Sequence, residues 1–319
     1  MTTLTTGTAG AVETTTAWPT VSVVIATVDR PVLLRRAVLA ALEQRYDGEV
    51  EVIVVHDRTE PRQIDLPGLA PGRSVRIVSN RRTPGLAGAR NTGILAGHGE
   101  LVAFCDDDDA WAETKLCEQV ELWREHPEAA AIATGIEIRT EDGSHEHLPP
   151  SRTRFADLLR SRVLGLHPSA FLIRRADLLG EVGLVDEVLP RSFGEDYDML
   201  LRLARRGDIL AVRKPLLMVD WARTSYFDGQ WDAISDGLTY LLEKFPEFGE
   251  DRRGWARVAG QIAFAHAARS RRGAALRWAL ATLRRDPRQL RGYGALAVAT
   301  GLVSADKLVE RVQRHGRGL

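Results

Sequence analysis

Cysteine is nearly absent: Cys105 and Cys117 are the two among 319 residues. They fall on an expected strand and on the helix after it, without metal-ligand spacing. No disulfide framework is expected, and a reducing, cytoplasmic compartment fits best. Net charge is absent as well, 43 basic residues offsetting 43 acidic ones, which removes the electrostatic reason to expect a nucleic-acid partner. Long apolar runs are missing: the longest weakly polar one, "YGALAVATGLV" from Tyr293, falls far short of the roughly 20 residues that span a bilayer. "MTTLTTGTAGAVETTTAWPT" has neither a basic start nor an apolar core, so residues 1–18 read as a disordered tail and not as a signal peptide.

What is present is unevenly spread. From Arg252 to the end, fifteen Lys or Arg stand against three acids, so the cancellation hides an acidic body and a basic end. The length suits one domain with an appendage. Near residue 225 the composition turns to Ala, Leu, Arg and Trp at helical spacing, which predicts an α/β domain over 19–225 and a helical, basic domain over 226–319.

Six β-rich runs punctuate the first part: "VSVVIAT", "EVEVIVVHD", "VRIVSN", "LVAFC", "AAIATGIEIRT" and "HPSAFLIRR". Helical patterns lie between most of them, the first opened by Pro31 and the last, "FGEDYDMLLRLARRGD", stopped by Gly207. Alternation of this kind predicts an α/β fold, a parallel sheet covered by helices. Ligands bind such sheets beyond the carboxyl ends of the strands. Asp106 to Asp109 leave the sheet at that place, directly after "LVAFC".

Four adjacent carboxylates repel one another, so water or a cation must hold them. Asp57 and the pair Glu195 and Asp196 lie at other strand ends or helix starts, and clustered oxygens of this kind suit a hard divalent cation, Mg²⁺ or Mn²⁺, bridging a diphosphate. The competing reading is structural: acids at helix starts complement the helix dipole, and Asp57 caps a turn. Arg90 and Asn91 either face a diphosphate or tie down the Gly-rich segment. His167 reads as a packed or acceptor-side residue and not as a ligand.

Four stretches in order, "VSVVIATVDRP", "VEVIVVHD", "GARNTGILAGHGELVAFCDDDDAWAETKL" and "GEDYDMLLRLARRG", resemble the successive motifs of family 2 glycosyltransferases with the GT-A fold, over about Val21 to Val219. The resemblance implies a Rossmann-like, mixed but mostly parallel sheet flanked by helices, followed here by a helical C-terminal extension. It also implies an inverting transfer of a sugar from a nucleoside-diphosphate sugar to an acceptor hydroxyl. The loop Ala26, Thr27, Val28 and Asp29 then holds base and ribose, and Asp57 contacts the nucleobase. Asp106, Asp107 and Asp108 form the D-x-D signature, with Asp106 towards the ribose and Asp108, assisted by Asp106, on the metal; Asp109 extends it. Asp196 is the expected catalytic base, with Glu195 as the alternative, and Arg90 joins the nucleotide-binding set.

These residue types suit that chemistry. A departing nucleoside diphosphate needs its charge stabilised, which a metal does as a Lewis acid, and an acceptor hydroxyl needs a carboxylate base as it attacks. A single displacement inverts the anomeric centre. The chain departs from the family at two points. Val28 stands where relatives carry a stacking aromatic, and Asp220, Trp221 and Arg223 stand where many carry a metal-completing histidine, leaving Asp108, phosphate and water, or Arg223 on the phosphate.

Two rivals are weaker. A nucleotidyltransferase calls for a Gly- and Lys-rich phosphate loop that "ATVDRPVLL" lacks. A non-catalytic sugar-nucleotide binder or scaffold sits badly with intact D-x-D and E-D acids. The acceptor is expected to be a glycan, a lipid-linked molecule or a small molecule. The basic C-terminal helices either pack on the catalytic domain or also lie peripherally on the inner face of the membrane, with Trp255 and Trp278 at headgroup level.

Overall fold

The computed structural model describes residues 17–140, 143–163, 165–220 and 229–313. Ten strands form one sheet: β1 Val21–Thr27, β2 Val50–His56, β3 Arg73–Ser79, β4 Leu101–Phe104, β5 Ala110–Trp111, β6 Ala131–Thr140, β7 Gly143–His147, β8 Arg152–Thr153, β9 Leu172–Arg174 and β10 Ile209–Asp220. They lie in the order β3-β2-β1-β4-β9-β6-β10-β5, with β7 on β6 and β8 on β10. The block β3-β2-β1-β4 is parallel throughout, and β6 and β10 are parallel to each other. β9 runs antiparallel between the two blocks. It is shorter than "HPSAFLIRR" suggests, because Pro168–Ala170 forms a 3₁₀ turn and pairing begins at Leu172; a proline cannot donate to a ladder.

The runs that do not alternate are those buried on both faces: Val23, Val24 and Ile25 of β1, Ile53 and Val54 of β2, and Val102 and Ala103 of β4 are all at most 1% exposed. Eleven α-helices surround the sheet among the described residues: α1 Pro31–Leu42, α2 Leu86–Ala96, α3 Lys115–Glu125, α4 Phe155–Arg160, α5 Arg175–Leu179, α6 Glu195–Arg206, α7 Trp231–Lys244, α8 Arg252–Ala268, α9 Arg272–Arg285, α10 Leu290–Ala299 and α11 Ala305–Gln313. On one face α1 and α3 pack on Val23, Ile25 and Val54; on the other α2 and α6 pack on Val24, Val55 and Phe104.

The second core does not stop at the sheet's own helices. Leu238, Leu241, Phe245, Phe248, Val258 and Ile262 of α7, α8 and the turn between them join it. At roughly 1.5–3 kcal/mol for each such buried side chain, this packing ties the extension firmly to the sheet. The boundary expected near residue 225 falls in 221–228, outside the described residues, as do residues 1–16 of the expected tail. Trp18, at that tail's end, packs edge-on against Tyr46 with ring centroids 5.1 Å apart. Trp255 and Trp278 are half-buried against each other, so the apolar side chains that α9 and α10 present to solvent are instead Leu276, Leu280, Leu290 and Tyr293. Among the described residues no helix is long and apolar enough to cross a membrane.

Candidate active site

The aspartates emerge where β4 ends beside the end of β1, and two arginines divide them. On the outer side Arg30, at the start of α1, reaches Asp107 at 3.1 Å and Asp108 at 2.7 Å. Arg36 also donates to the Asp108 carbonyl. Thr27, the last residue of β1, donates its hydroxyl to Asp107 Oδ2 at 2.7 Å. Burial pushes Asp107 up to about 6 even though Thr27 and Arg30 pull it down.

On the inner side Arg90 of α2 is buried and bridges Asp106 and Glu195, each at 2.9 Å, with its guanidinium over the Phe104 ring. One cation serves two carboxylates unequally. Burial would raise Asp106, but Arg90, His167 and Arg30 together outweigh it and hold that group below its ordinary value. Glu195, buried and beside Asp196, is pushed up to about 7.

Glu195 and Asp196 reach this place through Gly194, whose φ of +85° turns the chain sharply into α6, a conformation cheap for glycine. Asp196 is buried; its Oδ2 meets Arg162 and its Oδ1 accepts the Tyr197 N–H at 2.8 Å. His167 lies close by, its Nδ1 3.6 Å from Asp109 Oδ2, and burial lowers its affinity for a proton. Ligand atoms of Asp106, Asp109 and His167 all lie within 4.8 Å of one another. Asp109 Oδ2 is buried without a hydrogen-bond partner, an exception that calls for an ion, a water or a proton. Burial and the nearby Asp106 push Asp109 well up.

The other expected site residues are distributed more widely. Asp57 is buried at the end of β2 and accepts from Asn80 Nδ2 at 2.7 Å and the Gly85 N–H at 3.0 Å. Asp29, at φ +48°, turns outward to pair with Arg62 at 3.2 Å. Ala26 packs against the core, and Val28 is 47% exposed. Asn91 ties the Gly-rich helix to the 185–187 segment through the Val185 carbonyl and Glu187. Trp221 and Arg223 lie outside the described residues. A cavity of about 870 Å³ opens beside Thr27, Asp29 and Arg30 and runs to His56, Arg62 and Trp111, a volume suited to a nucleotide-sized ligand.

Sequence reasoning missed Arg30, Arg162 and Ser169, the last of which takes the Asp106 N–H on its hydroxyl at 3.0 Å. Arg30 had a signal, its place directly after the Thr27 loop; Arg162 sits where the pattern loosens and had none.

The donor chemistry fits a hard divalent cation: carboxylate oxygens, one of them unpartnered, with a neutral imidazole beside them. Asp106 and Asp108 are the accessible carboxylates of the run, their side chains 29% and 30% exposed, whereas Asp107 and Asp109 are buried.

Residues 22–179 match the model of a family described as Glycosyl transferase family 2. An uncharacterized glycosyltransferase of Bacillus subtilis, YwdF, is 27% identical over 236 residues, 71% of this chain and 83% of that protein. The chain spans about a third of the length of the first curated relatives it matches. Among solved structures it resembles S. aureus TarS 1–349 in complex with UDP-GlcNAc, at TM-score 0.60 and 14% identity over 93% of this chain and 92% of that one. It also resembles the mannosyltransferase PcManGT from Pyrobaculum calidifontis in complex with GDP-Man and Mn²⁺, at TM-score 0.53 and 20% identity over 94% and 81%.

Proposed function

The chain is a member of glycosyl transferase family 2 with a GT-A fold, and from that premise we propose that it transfers a sugar from a nucleoside-diphosphate sugar to an acceptor hydroxyl by single displacement with inversion. The observation that carries this reading is the buried Arg90, which links the D-x-D run through Asp106 to the E-D pair through Glu195. In this reading it joins a leaving-group side to a base side at one strand end.

Thr27, Asp107 and Asp57 are the residues for ribose and base, beside the cavity that begins at Thr27. Asp108, assisted by Asp106, is the metal seat in this reading. A divalent cation there supplies Lewis-acid stabilisation of the leaving diphosphate. Asp196 accepts the acceptor's proton; Glu195, buried like Asp196 and held by Arg90, serves as its alternative. Arg162 fixes the Asp196 carboxylate so that its remaining lone pairs face the acceptor.

The acceptor class is a glycan, a lipid-linked molecule or a small molecule. Leu276 and Leu280, about one turn apart on α9 and 38% and 49% exposed, lie among arginines, and on them rests the further proposal of peripheral contact with an anionic membrane. Flotation with anionic vesicles tests it: Leu276→Ser/Leu280→Ser should reduce the bound fraction, and a full chain that stays with the soluble fraction rules it out.

The main test is calorimetry with UDP, GDP and dTDP, each with and without Mn²⁺, on the wild type and Asp108→Ala. Metal-dependent binding of one nucleotide, lost in the variant, is expected; binding of none removes the reading. The anomeric configuration of the product, read by NMR, then checks inversion.

A further inference from the structure

Helix α8 lies in the part of the sequence that reads as an extension, yet its first turns grip the segment that presents Arg162. Asp251 caps α8 by accepting the Gly254 N–H on Oδ1 at 2.6 Å. Its Oδ2 accepts from Arg160 Nε and Nη2 at 3.1 and 3.0 Å. One turn on, Arg257 donates through Nε to the Arg160 carbonyl at 3.2 Å and through Nη2 to the Tyr197 hydroxyl at 2.8 Å. That hydroxyl in turn donates to the Leu158 carbonyl at 2.6 Å. Gly254 lets the two backbones touch, since a Cβ there would stand 2.2 Å from the Leu159 carbonyl oxygen.

Leu158, Leu159 and Arg160 are thus each held by α8 or by a side chain that α8 holds. Arg162 follows two residues later and meets Asp196, while Tyr197 is the next residue after Asp196 and gives it an N–H. Both hydrogen bonds that orient the Asp196 carboxylate therefore come from groups whose neighbours converge on Arg257. The Arg257 guanidinium itself sits 5.7 Å from the centre of the Tyr197 ring, and its hydrogen bonds go to Arg160, Tyr197 and Gln261.

We propose that Arg257 is a positioning residue for the reaction: by fixing the 158–160 segment and Tyr197 together, it keeps Arg162 and Asp196 in register with the donor. The inference rests on the reading of Asp196 as the base. It makes the C-terminal helices part of the catalytic apparatus and not a separable module.

The test uses the full chain with Arg257→Gln, Arg257→Lys, Arg162→Gln, the Arg162/Arg257 double variant and Asp196→Asn. It measures hydrolytic release of nucleoside diphosphate from UDP-GlcNAc and GDP-mannose, donor binding by calorimetry, and amide hydrogen exchange over residues 158–163. A misplaced catalytic group costs roughly ten- to a hundredfold in turnover, so Arg257→Gln should lose that much kcat with donor affinity within about twofold. Arg257→Lys should recover part of the loss. The double variant should be no worse than Arg162→Gln alone, because residues acting as one unit are not additive. Exchange over 158–163 should accelerate in Arg257→Gln and stay slow elsewhere.

Unchanged exchange over that segment in Arg257→Gln overturns the proposal whatever donor is used. Full turnover in Arg257→Gln while Asp196→Asn is inactive also overturns it and leaves the base reading standing. Full turnover in Asp196→Asn removes the base reading, and the proposal with it. If Arg257→Gln does not fold, Arg257→Lys, one head group for two acceptors, carries the same comparisons.

Discussion

The outer and inner halves of the four-aspartate run carry the same charge in different surroundings. Asp107 and Asp108 face Arg30, whose side chain is 47% exposed, whereas Asp106 shares with Glu195 an arginine that is 2% exposed. An exposed cation can leave an exposed carboxylate such as Asp108 at little cost, because water replaces it, while Thr27 goes on holding the buried Asp107. A buried cation cannot, since its departure strands charge in the interior. In the proposed reading the outer half exchanges its counter-charge for a ligand's, and the inner half is a fixed frame that sets the distance between that ligand and the E-D pair.

The largest effect is expected at the end of the frame. Asp196→Asn keeps the shape and removes the proposed base, so turnover should fall by about 10²–10⁴-fold with donor affinity nearly unchanged; steady-state kinetics beside calorimetry checks the split. Loss of donor affinity with turnover retained would move Asp196 from the base side to the donor side and erase the distinction between the halves.

Next comes the frame itself. Arg90→Met leaves Asp106 and Glu195 without their shared cation, and removing one partner of a buried pair costs about 3–5 kcal/mol. Urea unfolding should show that loss. Arg30→Gln should cost under about 1 kcal/mol in the same assay; equal costs would mean that burial does not separate the two arginines.

Glu195 adds a pH signature to the inner half. Its carboxyl rises from an ordinary 4.5 to about 7 in the folded chain, chiefly through burial and then the charge of Asp196. Between those values the folded state keeps a proton that the unfolded state has lost, so this group's contribution to stability falls as pH rises, by up to about 3 kcal/mol. Glu195→Gln has no such proton to lose. Its stability relative to the wild type should therefore improve from pH 5 to pH 7.5, and a difference that stays flat would show Arg90 holding Glu195 ionised throughout.

How much of this was legible follows from residue type and period. The strands with unbroken apolar runs, β1, β2 and β4, announce a sheet covered on both faces, and the run after β4 announces the site because four adjacent carboxylates need a reason. The E-D pair was visible as two acids at an expected helix start, with its role implied by the family resemblance; the turn at Gly194 that delivers it was not. Nor was Arg162, because residues 149–165 show no period, and its role depends on Asp196, 34 positions later. That the C-terminal helices pack on the catalytic domain was legible as one of two readings, and α7 and α8 bear it out; which apolar surface they cover was not, because an amphipathic helix looks the same in sequence whichever one it meets. Trp255 and Trp278 likewise gave no sign that they face each other.

The smallest effect expected on binding or turnover is also the one that isolates the outer half. If Asp108 and Asp107 are where a cation enters, Arg30 competes with it, and replacing Arg30 by glutamine should tighten Mn²⁺ binding in the absence of nucleotide. A unit charge about 4 Å away in a water-like medium is worth about 1 kcal/mol, twice that against a divalent ion, so the gain should be roughly five- to thirtyfold. Calorimetry at pH 8, where Asp107 is ionised given its value of about 6, measures it directly. Asp108→Asn should abolish the gain, while His167→Ala should leave it. The reverse pattern, with Mn²⁺ binding indifferent to Arg30 and lost with His167, would place the cation among Asp106, Asp109 and His167, and the inner half would then be the exchangeable one.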